Sequence, residues 1–472
     1  MAMTTSIPYR LCRKATWLLL VLSATGLSPV LAGASQPVAL HGPEAHQQFI
    51  VRFRTTDAGP LRQASRSAIL QRAAMQLPAS ADALSVRQVR EMALGPVVVR
   101  VSRLLDPFET ETFMRALAAD PQVDLVQPDH RLQSNAVPND VHYPRQWGIG
   151  PGRYSINVRP AWDLATGSGA TVAVIDSGTT THQDLDAQLL PGYDFISDPG
   201  DARDGDGRDD NPGDEGTWGA EGDCKHGRPL DSDWHGTKVA GILAAVTNNR
   251  EGIAGVAYGA RILPIRVLGK CQVGATSDIL DAVLWAAGFS VPGVRDNPNR
   301  AHVINLSLGG IAECSTLWQE TIDRVVDRGI TVVAGAGNDD MPAKDFTPAN
   351  CLRLIAVGSL DENGEKSDYS NWGEHVDLMA PGNGVLSTSN GGSTYPETAW
   401  YSVDVGTSFA TPHVSGVIAL MQQGRNRPLG PGEVESILKS TARDLSSTCA
   451  PIDCGHGLVD AKAAVEMARK VR

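Results

Sequence analysis

Val172-Ala173-Val174-Ile175-Asp176-Ser177-Gly178 decides the fold. Its first four residues are apolar and mostly β-branched, the pattern of a strand buried on both faces of a parallel sheet. Asp176 then falls at the strand's carboxyl end, where open α/β sheets carry their reactive groups. Two other segments belong with it. In Asp233-Trp234-His235-Gly236-Thr237-Lys238-Val239-Ala240-Gly241, a run of small and apolar residues over 239–245 reads as a buried helix after His235. In Gly406-Thr407-Ser408-Phe409-Ala410-Thr411-Pro412-His413, residues 409–421 read as another helix, with Ser408 near its start. The first free amides of that helix, and the positive end of its dipole, would face an anion formed beside Ser408. Gly406 carries no side chain to keep a substrate backbone away.

Each motif has an ordinary reading when taken singly. An Asp ending a buried strand also occurs in phosphotransfer folds, a His-Gly-Thr can be a capped turn, and Gly-Thr-Ser is common in loops. Their joint occurrence, in the order Asp, His, Ser, points to a nucleophile, a base and a group that orients the base. Ile330-Thr331-Val332-Val333-Ala334-Gly335-Ala336-Gly337-Asn338 reads as another buried strand, ending in a side-chain amide that can donate to a developing oxyanion. Asn305-Leu306-Ser307-Leu308-Gly309-Gly310 alternates polar with apolar, as an exposed edge strand that pairs with a peptide would.

With these segments in hand, the chain resembles the subtilisin-like serine proteases (subtilases), especially secreted, propeptide-bearing bacterial members with a thermitase-like calcium site. The resemblance runs over residues 138–468. It implies a three-layer α/β fold with a mostly parallel central sheet, preceded by a small α+β propeptide domain. It implies Asp176, His235 and Ser408 as the catalytic triad, and the Asn338 side chain with the Ser408 backbone N–H as the oxyanion hole. Ser307, Leu308 and Gly309, with Val273 and Gly274, would be strands that sandwich the substrate backbone. Gly335 and Gly337 would floor the cleft near Phe346-Thr347-Pro348. The implied activity is that of a serine endopeptidase, monomeric, acting on proteins and peptides through an acyl-enzyme. Three positions depart from the family pattern: Lys238 replaces a frequent second His, Phe409 a usual Met, and Ser177 a frequent Thr.

The N-terminal region fits export. Arg10, Arg13 and Lys14 precede an apolar stretch over 17–31, too short for a confident membrane span, and Val30-Leu31-Ala32 or Ala32-Gly33-Ala34 suits signal cleavage. Residues 1–34 are therefore expected to be a signal peptide, leaving a secreted product with no membrane attachment, after periplasmic passage or directly. Residues 35–135 read as strands over 48–53, 96–101 and 123–129 with a helix over 109–117. This resembles the subtilase propeptide, a folding aid and inhibitor whose last residues, His130-Arg131-Leu132-Gln133, would occupy the cleft. Residues 136–472 would be the catalytic domain, large enough for one sizeable core. The last helix is expected over 458–467, with no adhesion domain appended.

Seven cysteines and a formal charge of −12 complete the reading. Six of the cysteines (224, 271, 314, 351, 449 and 454) lie beyond the signal and fit an oxidising compartment. They allow 15 pairings. Proximity favours Cys449–Cys454, and the resemblance favours Cys224–Cys271 and Cys314–Cys351. The acidic balance argues against nucleic-acid binding. By the same resemblance, Asp140, Asp184 and Asn249 would give side-chain oxygens, and Val246, Glu251 and Ile253 backbone carbonyls, to a structural Ca²⁺. The acid-rich loop over 198–215, with Asp198, Asp204, Asp206 and Asp210, is expected to hold a second. Two rival functions stay open at this level: a catalytically idle, calcium-dependent adhesive protein, and a metal-dependent hydrolase using the acidic loop.

Overall fold

The computed structural model describes residues 46–471, apart from 55–60, 62, 78–83, 130–136, 226, 426 and 451–452. Residues 1–34, read as a signal peptide, and His130-Arg131-Leu132-Gln133, expected in the cleft, lie outside the described residues. The chain divides into two compact units, with the boundary between Leu132 and Gln133.

In the first unit, the described residues form an antiparallel sheet in the order β2-β3-β1-β4: β1 (His46–Phe53), β2 (Val86–Glu91), β3 (Val97–Leu105) and β4 (Val123–Pro128). Helices α1 (Gln63–Ala74) and α2 (Pro107–Ala118) accompany it, and Phe49, Val51, Val99, Ile69, Phe113 and Leu117 form the core. Asp106 starts α2 with a capping box: its carboxylate accepts from Glu109 N at 2.8 Å, and Glu109 accepts from Asp106 N at 3.2 Å. Sequence reasoning missed α1 and β2. Within α1 only Ile69, Leu70, Ala73 and Ala74 are buried, and β2 (VRQVRE) buries Val86 alone, so neither carries a strong apolar period.

The second unit is built on parallel strands in the order β13-β12-β10-β8-β5-β7-β6. They are β5 (Thr171–Asp176), β6 (Tyr193–Asp194), β7 (Arg261–Arg266), β8 (Val303–Leu306), β10 (Thr331–Gly335), β12 (Ile355–Leu360) and β13 (Leu378–Pro381). Two small antiparallel pairs lie outside this sheet: β9 (Gly310–Ile311) with β11 (Phe346–Thr347), and β14 (Val385–Asn390) with β15 (Ala399–Asp404). The helices are α3 (Pro199–Ala202), α4 (His235–Ala244), α5 (Thr276–Ala286), α6 (Thr316–Asp327), α7 (Thr407–Gln422), α8 (Pro431–Thr441) and α9 (Ala461–Ala468).

Successive strand residues point to opposite faces, and the core divides accordingly. Val172, Val174 and Val333 join a cluster with α4, α7, α8 and α9. Ala173, Ile175, Val332 and Ala334 join a second cluster with α5 and α6. The result is three layers, with the sheet in the middle. Disulfides join Cys224 to Cys271, Cys314 to Cys351 and Cys449 to Cys454. The first two close loops of 47 and 37 residues, worth about 4 kcal/mol each in the loop-entropy account.

One expectation is corrected. Asn305 and Leu306 do not belong to an exposed edge strand: they end β8, between β5 and β10 inside the sheet. The polar members of the alternation are buried and bonded. Asn305 Nδ2 donates to Ser307 Oγ at 2.9 Å, and its Oδ1 accepts from Ser415 Oγ of α7 at 2.8 Å.

Candidate active site

Asp176 closes β5 with no exposed surface. Its two carboxylate oxygens lie 2.8 and 3.0 Å from Nδ1 of His235, the first residue of α4. The residues that follow each of them are tied as well: Ser177 Oγ accepts from Gly236 N at 3.0 Å and donates to the buried Asp214 at 2.7 Å. Trp234 turns the chain into α4 with a left-handed φ of 57°, and its indole donates to Gly392 O at 2.7 Å. Burial opposes charge on His235, but the Asp176 carboxylate outweighs it by charge and hydrogen bond, and Asp233 adds to that. The imidazole is pushed up to about 9.

Ser408 is the second residue of α7. Pro412 lies inside this helix and has no N–H, so the Ser408 carbonyl lacks its partner four residues on. Ser307 supplies one: its Oγ donates to Ser408 O at 2.7 Å, while Ser408 Oγ donates to Ser307 O at 3.0 Å. The Ser408 hydroxyl thus rests on Ser307 and makes no hydrogen bond to His235. Asn338, past the end of β10, accepts from Thr407 N at 2.8 Å and from Thr407 Oγ1 at 3.0 Å. These bonds use its side-chain oxygen and leave Nδ2 without a partner among the described residues. Gly337, at φ 107°, is required here because a Cβ would strike Asn371 and the Phe346 ring.

His235, Ser408 and Asn338 line one cleft of about 500 Å³ with Val273, Gly274, Ser307, Leu308, Gly309, Gly335 and Gly337. Asp176 lies behind His235, and the segments 273–274 and 307–309, expected to flank a peptide as strands, belong to loops. Leu268, Gln272 and Trp318 also line the cleft and were not anticipated. Trp318 lies in the first turn of the amphipathic helix α6, where an apolar residue reads as core. Among the described residues lining the cleft only His235 is ionisable, so the other walls are uncharged.

The expected calcium residues separate into two cases. Asp140 and Asp184 are both buried, and neither has a basic partner among the described residues. Burial pushes Asp184 up to about 6, with Asp140's charge adding to the rise. Asp140 accepts from the N–H of Asn248 at 3.0 Å, and Asp184 accepts from Ile253 N at 2.8 Å and Asn249 Nδ2 at 2.7 Å. Two neighbouring buried carboxylates are costly unless compensated, and carboxylate oxygens are the donors a hard ion takes; Asn249 turns Nδ2 to Asp184, while its Oδ1 accepts from Glu251 N at 2.8 Å.

The acidic loop, expected to hold a second Ca²⁺, is different: several of its carboxylates already have partners within the protein. Asp204 pairs with the buried Arg266 at 2.8 Å, Asp198 caps α3 through Gly200 N at 2.7 Å, and Asp210 faces Arg295 at 3.7 Å. Asp206 is held only by its backbone N–H, which donates to Asp204 at 3.3 Å. Arg266 and Arg295 thus engage Asp204 and Asp210 but neither Asp198 nor Asp206, and among the described residues no group of three or more His, Cys, Asp or Glu side chains is placed to hold a metal ion.

Residues 167–457 match the Subtilase family. The chain is 48% identical to an extracellular protease of Xanthomonas campestris pv. campestris over 464 residues, covering 97% of this chain and 80% of that protein. It is 41% identical to an extracellular basic protease of Dichelobacter nodosus over 435 residues, covering 90% and 71%. It is 35% identical to thermitase of Thermoactinomyces vulgaris over 315 residues, covering 66% and 94%. The solved structure of a protease from Pseudoalteromonas arctica PAMC 21717 superposes with a TM-score of 0.69 at 47% identity, covering 71% of this chain and all of that one. A parallel sheet flanked by helices on both faces, a His–Asp pair and a serine around one neutral cleft, and these likenesses lead to one conclusion: the chain belongs to the subtilase family of subtilisin-like serine proteases.

Proposed function

We propose that the chain is a secreted serine endopeptidase whose chemistry is carried by Asp176, His235 and Ser408. The observation that carries this reading is the 2.8 Å contact of the buried Asp176 with Nδ1 of His235, which lines a cleft together with Ser408 and Asn338. A peptide lying along Ser307, Leu308 and Gly309 on one strand-like path, and Val273 and Gly274 on another, would bring its scissile carbonyl to Ser408. The Ser408 hydroxyl leaves the Ser307 carbonyl and passes its proton to His235 Nε2 as Oγ bonds the carbonyl carbon. Asp176 holds the other ring nitrogen and stabilises the imidazolium. Asn338 Nδ2 and the Ser408 N–H receive the negative oxygen. The imidazolium then protonates the leaving amine, and water releases the acyl group by the same steps.

Export through the 1–34 segment agrees with the extracellular names of two relatives. Residues 35–135 would serve as the inhibitory propeptide. Asp140, Asp184, Asn249 and the carbonyls of Val246, Glu251 and Ile253 would hold one Ca²⁺, whose chemistry is to neutralise buried carboxylates and brace the fold. Labelling with a fluorophosphonate tests the nucleophile. The expected result is one adduct at Ser408, absent in Ser408→Ala; a mature protein that takes no label is an idle scaffold.

A further inference from the structure

Lys238 lies three residues past His235 in α4, and its side chain is 6% exposed. A buried ammonium needs compensating partners. This one has two, Asp233 Oδ1 at 2.6 Å and Asp404 Oδ2 at 2.9 Å. Asp233 stands two residues before His235. Asp404 ends β15, four residues before Ser408, and also accepts from Ser402 Oγ at 2.7 Å. The ammonium therefore bridges the segment that delivers the base to the segment that delivers the nucleophile. Hydroxyls of β14 close the same junction: Ser387 Oγ donates to Lys238 O at 2.6 Å, and Thr388 Oγ1 to Thr237 O at 2.8 Å.

The charged groups facing His235 are Asp176 from the end of β5, Asp233 from the preceding segment, and Lys238 from α4. The cleft loop contributes uncharged Gln272, and α7 contributes Ser408 and the Phe409 ring, 5.5 Å from the imidazole. Asp404 reaches His235 only through Lys238, and Asp214 stands behind Asp176 beyond Ser177. Asp176 and Asp233 favour the imidazolium, and Lys238 opposes it.

We propose that Lys238 is a positioning residue for the base. It locks the His235 and Ser408 segments to each other through Asp233 and Asp404, and it offsets the charge that the Asp233 carboxylate presents to His235. This rests on His235 being the base and goes beyond that reading by assigning a role to an ion bridge outside the triad. A second His at this position, neutral above its ordinary pKa, would not supply the same fixed charge.

The test is the pH dependence of kcat/KM on a chromogenic peptide amide, for the full chain after maturation and for Lys238→Met, Lys238→Arg and Asp233→Asn. Lys238→Met is expected to move the acid limb upward by about 0.5–1 pH unit, a roughly 3–10-fold loss below the limb that recovers above it. Lys238→Arg keeps the charge and should leave the limb in place, and Asp233→Asn should move it down. A Lys238→Met variant that loses activity equally at every pH, with its midpoint fixed, reduces the bridge to packing and overturns the proposal. If that variant fails to fold, Asp233→Asn decides, and an unmoved limb there overturns it as well. A wild-type protein that takes no fluorophosphonate label sinks the underlying serine-protease reading instead.

Discussion

Asn338 directs its side-chain oxygen to the backbone N–H of Thr407 at 2.8 Å, one residue before Ser408. That bond fixes which end of the amide faces the cleft, since Nδ2 then points where the oxygen does not. The donor is oriented before any substrate arrives. Asn338→Ala is expected to lower kcat by about 10²–10³ with little change in KM, because the contact strengthens only as the oxyanion forms. Steady-state kinetics on one peptide substrate checks this, and an unchanged kcat removes Asn338 from the site.

The raised basicity of His235 sets the pH response. Only neutral imidazole accepts the seryl proton, so kcat/KM is expected to rise with pH through about 9. Stability follows the opposite sign. A group whose folded pKa is raised stabilises fully below its unfolded value of about 6.5 and loses that contribution as pH rises through the folded value. Activity and His235-linked stability should thus trade off between about 6.5 and 9. A pH–rate profile with its maximum in acid would contradict the assignment.

Ser408→Ala should abolish turnover and, under the proposed role of residues 35–135 as a self-cleaved propeptide, leave a species that retains residues from about 35 onward. Mass spectrometry of protein made in a host lacking other secreted proteases reads this directly. Normal maturation of the variant would mean that another enzyme does the cutting.

Chelation should act on stability and not on chemistry. Asp140 and Asp184 lie outside the cleft residues, so EGTA is expected to lower Tm and speed autolysis while leaving the initial rate nearly unchanged. Excess calcium should stabilise by about 2.7 kcal/mol at a hundredfold excess over Kd. Asp184→Asn should remove most of that response, and a melting curve indifferent to EGTA would dismiss the site.

Legibility in the sequence follows the physics of each segment. The run 172–175 reads as buried strand because every residue contributes to a core on one face or the other. Residues 305–307 mislead because polar side chains there are satisfied by each other and by α7, so burial carries no apolar signature. β14 (VLSTSN) hides for the same reason: it is buried throughout, yet its hydroxyls bond the carbonyls of α4. The acidic loop reads as a cation site because its carboxylates are close in sequence, whereas Arg266, distant in sequence, claims Asp204 in space. Lys238 stands out in the sequence as a departure, but its partner Asp404 is too remote along the chain to be named from it.

The Cys224–Cys271 bond encloses a ring of chain that contains His235, α4 and β7. A protein that cuts proteins in solution meets its own copies, and the stretch before Asp231 carries exposed residues such as Lys225 and Arg228. A single cut in the exposed stretch between Cys224 and Asp231 would leave both pieces covalently held, with α4 still packed on the sheet and His235 still beside Asp176. Nicked molecules would therefore run as one band until a reductant is added, and would keep working in the meantime.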